Sequence, residues 1–361
     1  MQTKRSMNKI LSTLTLSIAF CITLQAQDPH FSQFYNAPLQ MNPAYAGVFQ
    51  GSWRAGVNYR SQWASVLESN PYRTVAANYD AKIQVSRDDN MGVSFSMLND
   101  QAGPSNFSQF KGHLGASYQK KVNGGGRNRR SQNDQYIVAG FQIGAGQFRV
   151  NTNNLWFTSQ YDEKRVSVDL NAASGETFGE ATSNIYADLN AGLLWYMIFD
   201  DNKSVYVGGS INHANAPNIR FNGSSSEADI LRWRFVGQVG AELPFTEQLS
   251  ILPAFVVQTQ GVSQQFMTGA NLRYNARDWR EVALRTGLWT RIANNKEKGK
   301  FADAIIITSI LEMEKLNIGL SYDINISNLN VATNYRGAFE VSIQYVQPPA
   351  RRKGKVVCPR F

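Results

Sequence analysis

The sequence predicts an all-β protein, a transmembrane antiparallel β-barrel of about 14 strands with an irregular, plug-like N-terminal segment and a short basic C-terminal tail. Three observations predict this fold. Apolar and polar residues alternate strictly in about fourteen segments between residues 52 and 346, the period of a strand with two unlike faces. The connections between these segments alternate between long and short. The chain also begins with a leader typical of exported proteins.

The composition fits this class and excludes two others. With 43% hydrophobic and 17% charged residues, the chain is not broadly disordered. The mean hydropathy is -0.34, and no apolar run approaches the roughly 18 residues of a membrane helix after the leader, which excludes a helical membrane bundle. No change of composition divides the chain, so we expect one large unit.

Residues 1–26 predict a signal peptide that is cleaved during export. A cationic start, an apolar stretch and a small residue at the cut follow one another as Lys4, Arg5 and Lys9, then Ile10 to Leu24, then Ala26. The mature chain should begin near Gln27. A lipoprotein anchor at Cys21 is disfavoured, because Phe20 stands where the residue before a lipidated cysteine is usually small.

Residues 27–51 form the second predicted region and have no lasting period. Three prolines interrupt them, and five aromatic residues are concentrated there: Phe31, Phe34, Tyr35, Tyr45 and Phe49. A polar, proline-stiffened and aromatic segment suits filling a barrel lumen or capping its periplasmic mouth. Ordinary packing beneath the barrel fits the pattern as well.

The barrel is predicted over residues 52–346. Most of its segments run about 9 to 15 residues, the length that a tilted strand needs to cross a bilayer. The predicted strands are 52–60, 73–85, 90–98, 107–120, 135–148, 185–199, 203–213, 232–243, 247–259, 264–274, 279–291, 302–313, 315–325 and 336–346. The stretch from Ala304 to Leu311 is apolar on both faces, and a buried helix would give the same pattern.

Connection lengths support a membrane barrel over a soluble, secreted β-sandwich. Most connections after odd-numbered strands are long, and most after even-numbered strands are short; 260–263 and 121–134 are the exceptions. Outer-membrane barrels show this asymmetry, with long loops outside and both termini in the periplasm. Aromatic residues near strand ends fit membrane-interface girdles, although a protein core would also use them: Trp53, Tyr59, Tyr118, Trp233, Tyr274, Trp289 and Tyr345.

In a closed barrel the apolar parity faces lipid and the polar parity faces the lumen. That parity places charges of both signs inside: Arg54, Asp80, Lys82, Asp188, Arg234, Glu242, Glu281, Arg285, Asp323 and Glu340. Such a lining could be a mixed-charge network that fills the lumen or the wall of an aqueous path. The sequence leaves both open.

Two basic clusters fall on the predicted periplasmic side. One is in the tail, residues 347–361, and the other surrounds the turn at 121–134; their members are Arg351, Arg352, Lys353, Lys355 and Arg360, and Lys120, Lys121, Arg127, Arg129 and Arg130. They could contact acidic partners or the anionic headgroups of outer-membrane lipids, or simply be solvated. The net charge after leader removal is near +6, from 33 Lys and Arg against 27 Asp and Glu, and no nucleic-acid motif is present.

The N-terminal DPHFSQFYNAPLQMNPAYAG and the C-terminal CPRF resemble the PorP/SprF family of Bacteroidetes outer-membrane proteins. The resemblance implies a β-barrel of the type IX secretion system that supports protein secretion and gliding motility. It implies as partners the periplasmic ring subunits and lipoproteins of that system, and a secreted cargo or cell-surface adhesin. The signature positions are Asp28, Pro29, Phe31, Gln33, Tyr35, Asn42, Pro43, Ala44, Gly47, Cys358, Pro359 and Phe361.

Catalysis finds little support in the sequence, so we expect no enzyme activity, no cofactor and no metal site. His30, His113 and His213 are far apart, and no common metal-binding or nucleophile motif is present. Ser210 and His213, three apart on one predicted strand, should point to opposite faces. Two hypotheses remain: a component that binds secretion machinery and cargo, or a channel for small or amphipathic solutes.

Overall fold

The computed structural model confirms a closed barrel of fourteen antiparallel strands. It describes residues 28–348 except 68–69, 87, 104, 124–132, 152–154, 156, 163–166, 170, 174, 176–179, 201, 222–228, 276–281 and 296–298. The barrel strands are β1 Trp53–Gln62, β2 Tyr72–Gln84, β3 Asn90–Ala102, β4 Phe107–Asn123, β5 Asp134–Asn151, β6 Tyr186–Asp200, β7 Lys203–Asn212, β8 Arg234–Pro244, β9 Leu249–Gln260, β10 Ser263–Tyr274, β11 Ala283–Asn295, β12 Gly299–Glu312, β13 Leu316–Asn325 and β14 Arg336–Gln347.

Each strand pairs with the next along the chain, and β1 pairs with β14 to close the barrel. The closing register joins Trp53 to Gln347 at one end and Gln62 to Ala338 at the other. Closure leaves no barrel strand with an unpaired edge, which is the condition for β-structure in hydrocarbon.

Burial along the strands follows the predicted parity. On β2, Val75, Tyr79 and Ile83 are exposed, while Asn78 and Asp80 on the other parity are buried. The same inversion, apolar outside and polar inside, recurs around the barrel, and Leu114, Leu193 and Leu288 are all more than half exposed. A soluble sandwich would bury the apolar parity instead, so this pattern excludes it.

The two ends of the barrel differ. At the turn end, where β1 begins, short connections join the strands at residues 85–89, 201–202, 245–248 and 313–315. At the loop end, longer connections carry short helices and strands: Ala64–Leu67, Thr158–Gln160, Tyr161–Asp162, Ser167–Val168, Glu180–Thr182, Asn218–Ile219, Asp229–Ile230 and Asn330–Thr333. Among the described residues, no helix is long and apolar enough to cross a membrane.

The N-terminal segment, residues 28–51, runs inside the barrel and is called the plug below. It contains three short helices, Phe34–Asn36, Pro38–Met41 and Pro43–Tyr45. Residues 31–39 and 41–49 are all buried. The backbone N–H of Asp28 donates to Gln260 at the loop end, whereas Gly51 packs against the end of β14 at the turn end. The plug therefore threads the lumen from one end to the other.

Two predictions about apolar residues are resolved by the plug. Trp289 is not a girdle residue: it points into the lumen and packs against Phe34. The doubly apolar stretch of residues 304–311 is a strand within β12, because Ile306 and Ile310 face the plug while Ile307 faces lipid. Of the other predicted girdle residues, Trp53 stacks on Tyr345 with ring centroids 5.1 Å apart, and the rest are exposed: Tyr59, Tyr118, Trp233 and Tyr274.

Candidate functional site

The first contact between plug and wall is a buried charge cluster at the loop end. The Asp28 carboxylate lies 2.8 Å from Lys111 Nζ, 2.9 Å from His213 Nε2 and 3.2 Å from Arg234 Nη1. On its other side, His213 Nδ1 lies 2.8 Å from Asp188 Oδ1, and Asp188 Oδ2 lies 2.8 Å from Nε2 of a second histidine, His113. We call these six residues the loop-end cluster.

Electrostatics in this cluster favour the charged forms of both Asp28 and His213. Burial alone would raise the pKa of Asp28, but Lys111, His213 and Arg234 hold it well below its usual range. Burial alone would lower the pKa of His213, but the Asp28 and Asp188 carboxylates outweigh burial and leave it raised. The end of the plug is therefore held by ionised groups.

The second contact is an arginine–carboxylate cluster next to Ser32. The Ser32 Oγ donates to Asp323 at 2.8 Å, and its backbone N–H donates to Glu340 at 2.8 Å. Arg60 pairs with both carboxylates, at 2.8 Å from Asp323 and 3.1 Å from Glu340. Arg291 also pairs with Asp323 at 2.8 Å. Every charge here has an opposite partner, as burial requires.

Gln33 extends this contact along β14. Its backbone N–H donates to Glu340 Oε1 at 3.1 Å, and its side-chain oxygen accepts from Ser342 Oγ at 2.7 Å and from Asn36 at 2.9 Å. Gly319 lies beneath the same amide, where a Cβ would overlap Gln33 Oε1. The barrel wall thus complements the plug in shape as well as in charge.

The third contact is apolar. The Phe34 ring meets the Trp289 ring edge to face, with centroids 5.3 Å apart, and the Tyr35 ring at 5.1 Å. The Arg285 guanidinium lies 5.2 Å from the centroid of Tyr35. Inward-facing residues of several strands complete this cluster: Val236, Val256, Met267, Ala304, Ile306 and Ile310. Together these groups form a buried apolar layer between the plug and the wall.

The fourth contact is a notch formed by two paired wall glycines, Gly140 on β5 and Gly192 on β6. A Cβ at Gly140 would overlap the backbone of Pro43 and Ala44, and a Cβ at Gly192 would overlap Asn42 Oδ1. Asn42 Nδ2 donates to the carbonyls of Leu193 at 3.0 Å and Gly209 at 3.2 Å, and Oδ1 accepts from the Ala44 N–H at 2.8 Å. We call Gly140 and Gly192 the glycine notch.

The fifth contact lies at the turn end. Gly47 has a φ of +72°, a conformation that glycine adopts without strain, and its N–H donates to Asp80 at 2.9 Å. Asp80 also pairs with Arg54 at 2.9 Å. The Phe49 ring lies below two cations, with the guanidinium of Arg54 at 4.7 Å and the ammonium of Lys82 at 5.4 Å. Ionised groups therefore hold the plug at both ends.

The nine N-terminal signature positions all lie in the plug. Eight are buried, at the five contacts or, for Phe31, against Ala76 and Leu98; Pro29 is half-buried. The tail positions Cys358, Pro359 and Phe361 lie outside the described residues. Of the predicted lumenal charges, Arg54, Asp80, Asp188, Arg234, Glu242, Arg285, Asp323 and Glu340 are buried and Lys82 is half-buried; Glu281 lies outside the described part.

The predicted basic contacts are described for two residues only. Lys120 is exposed, and Lys121 pairs with Asp134 at 2.7 Å at the turn end. The remaining positions lie outside the described ranges: Arg127, Arg129, Arg130, Arg351, Arg352, Lys353 and Lys355.

Sequence reasoning missed two features of the site. The first is a set of wall glycines that lie against the plug: Gly92, Gly140, Gly192 and Gly319. Their position among the lumen-facing residues of their strands could have identified them. The second concerns Ser210 and His213, which were expected on opposite faces. Both are buried on the lumenal side, because β7 ends at Asn212 and His213 has a φ of +58°.

Ser210 and His213 nevertheless form no nucleophile–base pair. The Ser210 Oγ donates to the Met41 carbonyl at 2.6 Å, while both ring nitrogens of His213 face carboxylates. Within the described ranges, no group of three His, Cys, Asp or Glu side chains is arranged to hold a metal ion. The contacts of the site are those of docking between plug and wall.

Comparisons with known proteins give a clear family and a distant fold likeness. A search of curated proteins finds no significant match. Among solved structures, a TodX deltaS2S3 mutant monoaromatic hydrocarbon channel is 12% identical with a TM-score of 0.49, over 86% of this chain and 94% of that one. The toluene transporter TodX of Pseudomonas putida is 10% identical with a TM-score of 0.47, over 86% and 93%. These likenesses are too low to indicate function.

The family comparison covers most of the chain. The model of the type IX secretion system membrane protein PorP/SprF matches residues 23–345, which include the plug and nearly the whole barrel. The closed barrel, its apolar outer surface and this match agree with one another and with the N-terminal signature. The chain therefore belongs to the PorP/SprF family of type IX secretion system membrane proteins and is an outer-membrane β-barrel.

Proposed function

We propose that this protein is a docking component of the type IX secretion system that works by binding, without covalent chemistry. Its loop end would hold a secreted cargo, such as a surface adhesin, and its turn end would contact the periplasmic ring subunits and lipoproteins. In this role it supports protein secretion and gliding motility in a bacterium of the Bacteroidetes. The observation that carries the proposal is that the plug fills the lumen of a barrel that belongs to this family. A filled lumen favours a function in binding at the protein surface over a function in conduction.

The channel alternative needs an aqueous path, and the described plug residues occupy the place of that path. The Phe34, Tyr35 and Trp289 rings pack together in the lumen, and buried ion pairs surround Ser32. The mixed-charge lining therefore fits a network that holds the plug. It does not fit the wall of an open pore.

The sidedness of the proposal follows from the asymmetry of the barrel ends. Long loops of outer-membrane barrels face outside and short turns face the periplasm, so cargo would meet the loop end. The leader, residues 1–26, would be removed during export, as its cationic start, apolar stretch and small residue Ala26 indicate. The basic clusters around the turn at 121–134 and in the tail would then face periplasmic partners with acidic surfaces or the lipid headgroups.

The test is mass spectrometry of proteins that copurify with a tagged copy from native membranes. We expect type IX subunits and at least one secreted protein to be enriched. Recovery of intact barrel with no secretion component would contradict the proposal.

A charge variant makes the same experiment sharper. Replacing Arg127, Arg129 and Arg130 by Gln should reduce recovery of periplasmic subunits, because an electrostatic contact loses three cations. The matched control replaces three cations at the loop end, Arg149, Arg220 and Arg232, by Gln, and should leave the periplasmic subunits bound. Equal losses in both variants would show that the turn-end cations carry no specific contact.

A further inference from the structure

The loop-end cluster places one histidine between two carboxylates on different elements. His213 Nδ1 lies 2.8 Å from Asp188 Oδ1 on β6, and His213 Nε2 lies 2.9 Å from Asp28 Oδ2 on the plug. The His213 side chain is 1% exposed and its backbone N–H donates to Asn190 at 3.0 Å. The ring is therefore fixed, and water has little access to either nitrogen.

This geometry determines the protonation state of His213. An ionised carboxylate only accepts hydrogen bonds, so each ring nitrogen must donate one. A neutral imidazole carries a single N–H and would turn a lone pair toward one of the two carboxylates. His213 is accordingly an imidazolium, and it bridges the plug to the wall through two charge-assisted hydrogen bonds.

The surrounding charges come from every element packed against the ring. Lys111 and His113 lie on β4, Asp188 on β6, Arg234 on β8 and Asp28 on the plug. Asp100 on β3 interacts electrostatically with Asp28 and Lys111 and accepts from Thr74 Oγ1 at 2.6 Å. Histidine is the side chain whose charge commonly changes between pH 5 and 8, and His213 is the histidine of this cluster that contacts the plug.

We propose that His213 is a proton-dependent latch: its imidazolium holds the N-terminal end of the plug in the lumen, and its deprotonation loosens residues 28–36 toward the loop end. This goes beyond the proposed function, because docking of machinery or cargo requires no pH dependence of the plug. Deprotonation removes one of the three cations that hold Asp28, so the end of the plug loosens. The glycine notch and the turn-end contact do not involve His213 and stay formed.

The pH dependence of plug seating has a definite sign, because His213 binds its proton more tightly when the plug is seated. Of the two carboxylates that raise the pKa of His213, only Asp28 belongs to the plug, so seating of the plug raises this pKa above its value in the unseated state. The raised pKa therefore stabilises the seated state fully below the unseated pKa of His213. As the pH rises from there through the raised pKa, seating weakens by up to about tenfold per pH unit. On the acid side, the lowered pKa of Asp28 keeps its charge, so the latch holds there.

The test is pulsed hydrogen–deuterium exchange on the full-length protein in detergent micelles, from about pH 6 to pH 9. Rates are divided by the intrinsic exchange rate at each pH. We expect protection of residues 28–36 to fall by about tenfold or more over this range, following the linkage slope, while a β12 peptide covering residues 304–311 keeps its protection. A flat profile for residues 28–36 overturns the proposal.

Two variants separate the latch from a general effect of the cluster. His213→Gln should give low protection of residues 28–36 at every pH. The matched control is His113→Gln, because His113 also contacts Asp188 at 2.8 Å but its contact is with the wall and not with the plug; it should keep the pH profile of the unmodified protein. An equal change in the pH profile of residues 28–36 in both variants overturns the proposal. If a variant does not fold, the pH profile of the unmodified protein alone decides the test.

Discussion

At the scale of single residues, the site depends on small side chains as much as on charged ones. The Gly192 position shows why: Asn42 reaches the carbonyls of two neighbouring strands only because no Cβ stands in its way. With these bonds the buried Asn42 amide has partners for its donor and its acceptor, and it caps the short helix Pro43–Tyr45. Specific seating of the plug therefore rests on an asparagine above a glycine notch.

Gly192→Ala should loosen the plug without opening the barrel. The new methyl group would overlap Asn42 Oδ1, and overpacking of this kind costs about 1–3 kcal/mol. Exchange protection of residues 38–47 should fall at least about fivefold, consistent with that cost. The control is Gly112→Ala, whose Cβ would meet only the Ser96 carbonyl at 3.9 Å. Equal effects of the two substitutions would contradict the notch.

Asn42→Asp should be more damaging than Asn42→Ala. Alanine leaves the Leu193 and Gly209 carbonyls without this donor, at a cost of about 1–3 kcal/mol. Aspartate keeps the acceptor for Ala44 but turns a buried carboxylate oxygen toward the two carbonyls, which adds repulsion and desolvation. Exchange of residues 38–47 measures both. A milder effect for Asp than for Ala would show that the cap, and not the two donated bonds, holds Asn42.

Sequence reasoning predicted which charged residues face inward, because a charge on the lipid face is costly and the alternation assigns the parity. It could not predict their partners. Arg60 and Asp323 pair at 2.8 Å across 263 positions of sequence. Only barrel closure makes this possible, because it pairs β1 with β14 and so brings β1 within side-chain reach of β13. His113 and His213, distant in sequence, likewise share Asp188.

At the scale of elements, β12 shows how one strand serves two apolar environments. Ile306 is fully buried against the plug cluster and its neighbour Ile307 is about half exposed on the outer face. Alternation disappears from the sequence there, and for that reason strand and helix could not be distinguished. The strands with a polar lumenal face were all predicted, within a few residues at their ends.

The adjacent pair on β12 gives a test of these two faces. Ile306→Ala removes buried packing against the plug, a change that costs about 2–5 kcal/mol, and should increase exchange of residues 31–36. Ile307→Ala keeps an apolar group toward lipid and should change that exchange little. Heat-modifiable migration in electrophoresis reports whether the barrel itself is intact. Equal plug exchange in both variants would refute the assignment of faces.

The path of the plug could not be predicted from its own sequence. Residues 28–51 have no period, so nothing in the pattern separates a lumenal position from a cap at the periplasmic mouth. Their backbone is held by side chains far away along the chain, such as Gln260 at Asp28 and Asp80 at Gly47. The aromatic content did indicate burial, and the structure buries all five predicted aromatic residues.

At the scale of the whole molecule, the protein is a barrel closed by its own N-terminal segment. Buried ion pairs hold the segment at the loop end and the turn end, and aromatic and glycine contacts hold it between them. A molecule built in this way fits a role in docking better than a role in conduction.

Single-channel recording in planar bilayers at about pH 6 tests this account most directly. The full-length protein should show no stepwise current, and a variant lacking residues 28–50, checked by heat-modifiable migration, should show regular steps because its lumen is unfilled. Full-length protein that conducts as readily as the deletion variant would contradict the claim that the plug closes the barrel.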